Sequence, residues 1–136
     1  MNLNELYYTN LACNTLAERL KKAKLIKGIN QKQLSKITSL DRSTICEIER
    51  GSRDNISRDT LLKLIKVLDK NILCDDYLLF ILNQEENISL LIEQHGISKL
   101  CNILKCHHSS IYRWKSFKNQ IPKSKYNLIK ELDQDN

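Results

Sequence analysis

The stretch from Gln31 to Gly51, QKQLSKITSLDRSTICEIERG, constrains the fold of this chain more than any other segment. Its apolar residues recur at helical spacing in two short runs, and Ser39 lies in the turn expected between them. Asn30 and Gln33 have the spacing of a capping box, which predicts the start of the first helix. Asp41 is predicted to cap the second helix. The stretch therefore predicts two short helices joined by a tight turn.

The second of these helices is expected to have an apolar inner side and a polar outer side. Ile45 and Ile48 face inward at a spacing of three residues. The outer side is left with guanidinium, hydroxyl and carboxylate groups, on Arg42, Ser43, Thr44 and Glu47. A short helix with donors and acceptors clustered near its N-terminal end is suited to insertion into the major groove of DNA.

The composition favours a helical chain with a polyanionic partner. Gly (3) and Pro (1) are scarce among the 136 residues, which argues for helices and against a turn-rich β-sandwich. The net charge of +6 fits double-stranded DNA, although basic charge alone indicates only a polyanion.

Cysteine usage and hydropathy predict a cytoplasmic protein that does not enter a membrane. The five cysteines are odd in number and lack CxxC spacing, so they do not resemble the disulfide framework of a secreted domain. The N-terminus has no basic region followed by an apolar run, and no signal peptide is expected. The longest apolar run, Tyr77 to Leu82, is too short to cross a bilayer.

Several short motifs within residues 15–69 have a combined spacing that is specific to one family. They are Gly28-Ile29-Asn30-Gln31, Leu34-Ser35, Ser43-Thr44-Ile45, Ile48-Glu49-Arg50-Gly51 and Ile56-Ser57 before Thr60-Leu61. With these motifs the N-terminal half of the chain resembles the Cro/XRE, or lambda-repressor-like, family of helix-turn-helix transcriptional regulators. The resemblance implies a small all-α domain that binds double-stranded DNA.

The resemblance also implies roles for individual side chains. It makes Arg42, Ser43 and Glu47 the base readers, since Arg suits the guanine O6 and N7 acceptors and Glu can accept from cytosine N4. It makes phosphate ligands of four further residues, Gln31, Thr44, Arg50 and Arg53. Glu49 is implied to be an internal partner of Lys24 and not a DNA ligand.

Three positions depart from the family pattern, and each predicts somewhat lower stability. Ser39 occupies a turn position that usually holds glycine, where a left-handed or bridging backbone has a cost. Lys24 replaces the usual arginine, so a bidentate contact with Glu49 becomes a point contact. Thr38 stands where an aliphatic residue is commoner.

The helix-turn-helix pattern recurs 66 residues later, where small, apolar and hydroxyl positions return in register. The recurring residues are Leu100, Cys101, Leu104, Lys105, Cys106, Ser109, Ser110, Ile111 and Trp114. A helix from Asn87 to His95 is predicted before them, ending at Gly96. Ile121-Pro122 is predicted to open a last helix, with Pro at its first position and Tyr126, Ile129 and Leu132 inward.

These observations predict an all-α chain of two tandem small helical helix-turn-helix units. Residues 1–83 are predicted to form an N-terminal lambda-repressor-like DNA-binding domain, in which residues 1–13 are a short leading helix or an arm. Residues 84–136 are predicted to form a C-terminal helix-turn-helix-like domain. The apolar helix Tyr77–Asn83 either packs between neighbouring elements or leaves Leu78, Leu79 and Leu82 as a patch for self-association.

The second unit has two alternative readings. Its outer residues form a second candidate DNA-binding surface without an acidic side chain, made of His107, His108, Ser109, Ser110, Arg113 and Lys115. Units of this kind also serve as dimerisation or partner-binding modules, so a protein partner is the alternative. The positions that correspond to Lys24 and Glu49 are Leu90 and Lys115, so no equivalent ion pair is expected.

No metal, cofactor or enzymatic activity is predicted. Cys101, Cys106, His107 and His108 are of types that bind zinc, but the repeat accounts for both cysteines as core positions. Two adjacent histidines at a helix start cannot easily turn toward one ion together with those cysteines. A Cys–His nucleophilic pair would lack a third, orienting group. The sequence also contains no Gly-rich phosphate loop and no paired-carboxylate signature.

The predicted function is a sequence-specific DNA-binding transcriptional regulator, in the form of a repressor that occludes a promoter. A homodimer is expected, because the two candidate reading surfaces differ and a single recognition helix reads only a few base pairs. One alternative is an antitoxin-type regulator with one DNA-binding and one protein-binding unit. Another is a protein-interaction adaptor that does not bind DNA.

Overall fold

The computed structural model describes residues 15–53 and 55–134, and within these ranges all regular structure is helical, with no strand. The predicted all-α class is confirmed. The predicted leading segment, residues 1–13, lies outside the described residues. The chain divides into two compact units, Met1–Asp75 and Asp76–Asn136, whereas the sequence places a domain boundary between residues 83 and 84. None of the described helices is long and apolar enough to cross a membrane.

The described part of the N-terminal unit contains one twelve-residue helix, three eight-residue helices and one single-turn helix, which enclose one core. Its described helices are α1 (Leu16–Lys27), α2 (Gln31–Thr38), α3 (Arg42–Glu49), α4 (Arg58–Ile65) and α5 (Lys70–Leu73). Helix α1 packs on α3 and α5, and α2 packs on α3. The side chains of Leu20, Leu34, Ile45, Ile48, Leu61 and Leu64 are fully buried in this unit. Burial of these aliphatic side chains is the main favourable contribution to its stability.

Helix α2 begins at the predicted capping box, and both of its hydrogen bonds are present. The Gln33 N–H donates to Asn30 Oδ1 at 2.8 Å, and the Asn30 N–H donates to Gln33 Oε1 at 2.9 Å. At the start of α1, Thr15 Oγ1 accepts from the Glu18 N–H at 3.2 Å and donates to the Glu18 carboxylate at 3.1 Å. The Thr15 side chain therefore caps α1, although its hydroxyl donates to the carboxylate that would otherwise close a capping box.

The prediction that Asp41 caps α3 through its side chain is wrong. Asp41 occupies the N-cap position with an extended backbone, but its carboxylate makes no capping hydrogen bond. Its carbonyl oxygen instead accepts from the Thr44 N–H at 3.0 Å, as in a first helical turn. The N-terminal end of α3 thus starts without a side-chain cap.

The turn between α2 and α3 is left-handed at Ser39, which has a φ of 63°. The neighbouring Thr38 is buried, and its hydroxyl serves both ends of the turn. It donates to the Leu34 carbonyl at 2.7 Å and accepts from the Leu40 N–H at 3.3 Å. The polar residue at this core position is therefore fully satisfied, and it supports the backbone that Ser39 must adopt.

Helix α5 is not predicted by the sequence pattern, and a buried arginine links it to α1. Arg19 on α1 is only 9% exposed. Its Nε donates to the Leu73 carbonyl at 2.8 Å, and its guanidinium lies 3.5 Å from the Asp75 carboxylate. The end of the N-terminal unit is thus tied to the first turns of its first described helix.

The C-terminal unit repeats the central helix pair of the N-terminal unit. Its described helices are α6 (Asp76–Leu82), α7 (Gln84–His95), α8 (Ile97–Leu104), α9 (His108–Lys115) and α10 (Lys123–Gln134). The bounds of α8 and α9 lie 66 residues after those of α2 and α3. Lys105, with a φ of 52°, takes the left-handed position that Ser39 takes in the first turn. Helix α7 packs on α8 and α9, and α8 also packs on α10.

Helix α7 begins earlier than predicted, at Gln84, because that residue belongs to the core. Gln84 is fully buried, and its Nε2 donates to the carbonyls of Trp114 and Asn119, each at 2.9 Å. Its Oε1 accepts from the Ile121 N–H at 2.9 Å. The side chain of Gln84 therefore fixes the segment that follows α9. It supplies the hydrogen-bond partners that buried polar groups in this segment need.

Gly96 ends α7 and directly precedes α8. It has a φ of 82° and a ψ of 153°, a backbone region essentially restricted to glycine. The chain can therefore change direction within one residue.

In α6, Leu78 is buried and only Leu79 among the three predicted patch residues is strongly exposed, at 38%. The conditional patch of Leu78, Leu79 and Leu82 does not form, because Leu78 faces the interior.

Candidate nucleic-acid interface

The outer side of α3 presents the predicted base readers to solvent. Arg42 and Ser43 are exposed in the first turn, and Thr44 is half-buried beside them. Ile45 and Ile48 on the opposite side are fully buried, and they hold the helix against the core. This arrangement follows from the helical period, which places residues three apart on one side. The Arg42 guanidinium is an exposed fork of donors at the start of a short helix, as base recognition requires.

Two of the predicted DNA ligands are paired with each other. Arg53 Nε lies 2.6 Å from Glu47 Oε2, and the side chains of Arg53 and Glu47 are 47% and 35% exposed. An ion pair this exposed contributes about 0–1 kcal/mol. The cost of separating the two groups on binding a base or a phosphate is correspondingly small.

Behind the outer side, a chain of four polar side chains connects three helices. Lys24 on α1 forms an ion pair with Glu49 Oε1 on α3, and both side chains are about nine-tenths buried. Gln31 Nε2 on α2 donates to Glu49 Oε2 at 2.7 Å. The Cys46 thiol donates to Gln31 Oε1 at 3.1 Å. The expected Lys24–Glu49 partnership is therefore present, and the network fixes the N-terminal end of α2 against α3.

Gln31, predicted to bind a phosphate, takes part in this internal network. An amide nitrogen carries two hydrogens, and the bond to Glu49 uses one of them. Arg50, the remaining predicted phosphate ligand, is exposed just after the last residue of α3. The sequence pattern did not identify Cys46 and Gln31 as partners. Cys46 lies three residues before Glu49, and Gln31 lies at the start of the facing helix. These positions gave only an indirect signal that the two side chains would be in contact.

The second candidate surface lies on the first turns of α9. His107, His108, Ser109, Arg113 and Lys115 are exposed, and Ser110 is half-buried. His107 is the N-cap residue, and its side chain accepts from the Ser109 N–H. The rings of His107 and His108 lie 4.1 Å apart, and the ring of Tyr112 meets His108 edge-on at 6.2 Å. The first turn of α9 thus carries an aromatic cluster where α3 carries Arg42.

In the described part of the C-terminal unit, the two positions that correspond to the buried Lys24–Glu49 pair do not carry opposite charges. The positions equivalent to Lys24 and Glu49 are Leu90, which is 51% exposed, and Lys115, which is exposed. The buried Gln84 network and the Tyr77 hydroxyl, which donates to the Ile121 carbonyl at 2.6 Å, hold this unit together instead. Sequence reasoning missed both residues, since neither belongs to the repeated pattern.

Charge is strongly segregated along the C-terminal unit. Positions 94 to 130 contain no Asp or Glu, and they carry Lys99, Lys105, Arg113, Lys115, Lys118, Lys123, Lys125 and Lys130. Acidic residues of the unit flank this stretch, with Glu85, Glu86 and Glu93 before it and Glu131 after it. Lys125 serves the fold, since its ammonium donates to the Leu104 carbonyl at 2.8 Å. Lys130 is paired with Asp76 at 3.1 Å. The other basic residues of the stretch give the helix pair α8–α9 a positive charge.

Cysteine and histidine side chains near α9 line a surface pocket of about 490 Å³, together with Ile97, Ser98, Asn102 and Tyr112. Within the described ranges, no three His, Cys, Asp or Glu side chains converge in a way that could hold a metal ion.

Burial, followed by the charge of Cys101, raises the pKa of the Cys106 thiol. In the N-terminal unit, burial raises the pKa of Cys74 to about 11.

Comparison with known proteins identifies the N-terminal unit. A protein-family model described as a helix-turn-helix domain matches residues 17–72. The match does not extend to the second helix pair, α8 and α9. No curated protein and no solved structure matches the chain. The matched stretch covers α1 from its second residue, all of α2 to α4, and the left-handed turn at Ser39. Residues 17–72 of this chain therefore belong to the helix-turn-helix domain family.

Proposed function

We propose that the protein is a sequence-specific DNA-binding transcriptional regulator that represses by occluding a promoter. The observation that supports this most is the outer side of α3, where Arg42 and Ser43 are exposed on a helix held rigidly from behind. A helix-turn-helix domain inserts such a helix in the major groove. Rigid support matters because base recognition requires the donors to be held in a fixed geometry.

In this proposal Arg42, Ser43 and Glu47 read base edges. Gln31, Thr44, Arg50 and Arg53 bind phosphates. Arg53 exchanges its Glu47 partner for a phosphate oxygen, which releases the Glu47 carboxylate to accept from a cytosine amino group. The weak exposed pair between them supports this exchange, since little free energy is lost when it opens.

The C-terminal unit is proposed to contact DNA as well, through His107, His108, Ser109, Ser110, Arg113 and Lys115. The acid-free stretch from position 94 to 130 supports this, because a polyanion is attracted to a surface without opposing charge. The competing proposal is an antitoxin-type regulator, in which this unit binds a protein. The exposed aromatic cluster of His108 and Tyr112 favours that alternative, since aromatic residues are enriched at protein interfaces.

A variant comparison on sites selected from a random DNA pool tests the base-reading role. We expect Arg42→Ala to weaken the best site by about 1–3 kcal/mol and to relax preference at one base pair. The matched variant is Arg50→Ala at the other end of α3, which should weaken all sequences alike and lower the salt dependence by about one counterion. Equal loss on all sequences for Arg42→Ala would move Arg42 to the phosphate class.

Salt titration separates a regulator from an adaptor that does not bind DNA. If several Lys and Arg side chains contact phosphates, affinity should fall by roughly 10³ or more between about 50 and 200 mM salt. A salt-independent interaction, or none on any selected sequence, would rule out the proposed regulator.

The regulator is further proposed to act as a homodimer in the cytoplasm on palindromic operators, with half-sites about 34 Å apart. The difference between the two candidate reading surfaces supports a dimer, since α3 and α9 would read different bases. Sedimentation of the protein with footprinting on the selected site tests this. A monomer that protects an asymmetric site would replace the dimer with a tandem reader.

A further inference from the structure

Helix α8 ends in a turn that draws two cysteines together. Lys105 is left-handed, and the Cys106 N–H donates to the Cys101 carbonyl at 3.1 Å. This is the long bond of a Schellman motif, in which the side chains of the two bonded residues commonly touch. The corresponding residues of the N-terminal unit do meet, since Ser35 Oγ donates to the Leu40 carbonyl at 2.5 Å. In the C-terminal unit the left-handed turn and its long bond bring Cys101 and Cys106 to one side, where both line the same pocket.

Both thiols can be reached by a small reagent. Cys101 and Cys106 are half-buried, and both line the surface pocket of about 490 Å³ beside α9. The other described cysteines do not line this pocket. Cys74 is 8% exposed, and the Cys46 thiol donates to Gln31. A pair of adjacent, accessible thiols is the arrangement in which oxidation gives a disulfide and not a further oxidised acid.

We propose that Cys101 and Cys106 form a modification site at which hydrogen peroxide generates an intramolecular disulfide. The thiolate of Cys101 attacks a peroxide oxygen, the O–O bond breaks, and Cys101 becomes a sulfenic acid while one water leaves. The thiolate of Cys106 then attacks the Cys101 sulfur, the S–S bond forms, and the sulfenic hydroxyl leaves as a second water. In total the thiols lose two electrons and two protons, and the peroxide is reduced to water.

The order of the two steps follows from the surroundings of Cys106. Burial and the charge of Cys101 raise the pKa of the Cys106 thiol, which lowers the fraction of Cys106 present as thiolate and makes it the resolving residue. Once formed, the bridge ties the end of α8 to the residue that precedes His107, the N-cap of α9. Oxidation thereby locks the turn that sets where α9 begins.

Tryptic mapping of the full-length protein tests the proposal, and it does not depend on DNA binding. Trypsin cleaves after Lys99, Lys105 and Arg113, so the two cysteines fall on separate peptides, 100–105 and 106–113. Protein treated with hydrogen peroxide, then alkylated, denatured and digested without reductant, should yield these peptides joined, lighter than their sum by two hydrogen atoms. Reductant should separate them. Cys46→Ser should leave the joined product unchanged, whereas Cys101→Ser and Cys106→Ser should each abolish it.

A parallel oxidation in concentrated urea shows whether the fold directs the pairing. We expect the joined pair of peptides to be several-fold more abundant from the folded protein, because unfolding exposes all five cysteines to competing pairings. The proposal is overturned if the folded protein gives the two peptides separately, alkylated or as sulfinic acids. It is equally overturned if unfolding leaves the yield of the joined pair unchanged.

Discussion

Replacing Glu49 by glutamine should destabilise the N-terminal unit by about 3–5 kcal/mol, because it leaves a buried ammonium without its counter-ion. The side chains of Lys24 and Glu49 are only 11% and 10% exposed. Glutamine has nearly the same volume, and its carbonyl oxygen can still accept from Gln31. The loss therefore comes from the missing charge and not from a cavity.

The matched control is Glu47→Gln on the same helix. Glu47 also pairs with a basic residue, Arg53, but those side chains are 35% and 47% exposed. Water screens this pair, so we expect a cost of about 0–1 kcal/mol. A double variant, Lys24→Met with Glu49→Leu, should cost less than Glu49→Gln alone, since apolar replacement removes both buried charges.

Urea unfolding followed by far-UV circular dichroism measures these differences. Trp114, the single tryptophan of the chain, lies in the C-terminal unit, and its fluorescence provides a reference transition that Glu49→Gln should not move. The reasoning fails if Glu49→Gln costs no more than Glu47→Gln. It also fails if the double variant is the least stable of the set, because the pair would then contribute more than its desolvation costs.

Three further results are expected. Gln84→Leu should lower the free energy of unfolding of the C-terminal unit by about 1–3 kcal/mol or more, since the buried backbone groups that bond to Gln84 would lose their hydrogen-bond partner. An unshifted Trp114 fluorescence transition would contradict this. Ser39→Gly and Lys105→Gly should each stabilise by about 0.5–1 kcal/mol, because relief of the left-handed strain exceeds the added chain entropy; thermal unfolding that shows no gain at either position would refute it. Folding raises the pKa of Cys74 from an ordinary 9.0 to about 11, so the folded state holds this proton more tightly than the unfolded chain. The free energy of unfolding should therefore be at its full value below pH 9 and fall by roughly 2–3 kcal/mol as the pH rises from the lower pKa to the higher one. Cys74→Ala should remove this fall.

The sequence predicts the helix pairs well because their signals are local and redundant. The cap at Asn30 forms where the spacing indicates, Thr15 and Ser57 also cap their helices through their side chains, and Gly28 ends α1 in a left-handed conformation. The Lys24–Glu49 pair also follows from the family resemblance. In each case several neighbouring residues favour the same structure, so one departure from the family pattern, such as Thr38, does not change the fold.

Other features depend on contacts that local patterns do not encode. Helix α5 is a single turn, too short for apolar periodicity to show it. Gln84 lies where composition turns polar and resembles a linker residue, yet its partners are 30 to 37 residues away. Asp41 has a favoured capping residue type, but side-chain type alone does not fix which acceptor the first turn uses. The roles assigned to individual DNA ligands stay predictions.

The link between Arg19 and the Leu73 carbonyl has a practical consequence for dissecting the chain. The family match ends at residue 72, and a fragment cut there would remove the carbonyl that accepts from a guanidinium 9% exposed to solvent. Loss of a partner to a buried charged group costs more than the bond itself contributes. A fragment extended to Asp75 retains both that carbonyl and the carboxylate beside it. The smallest autonomous piece should therefore be a few residues longer than the stretch that sequence similarity delimits.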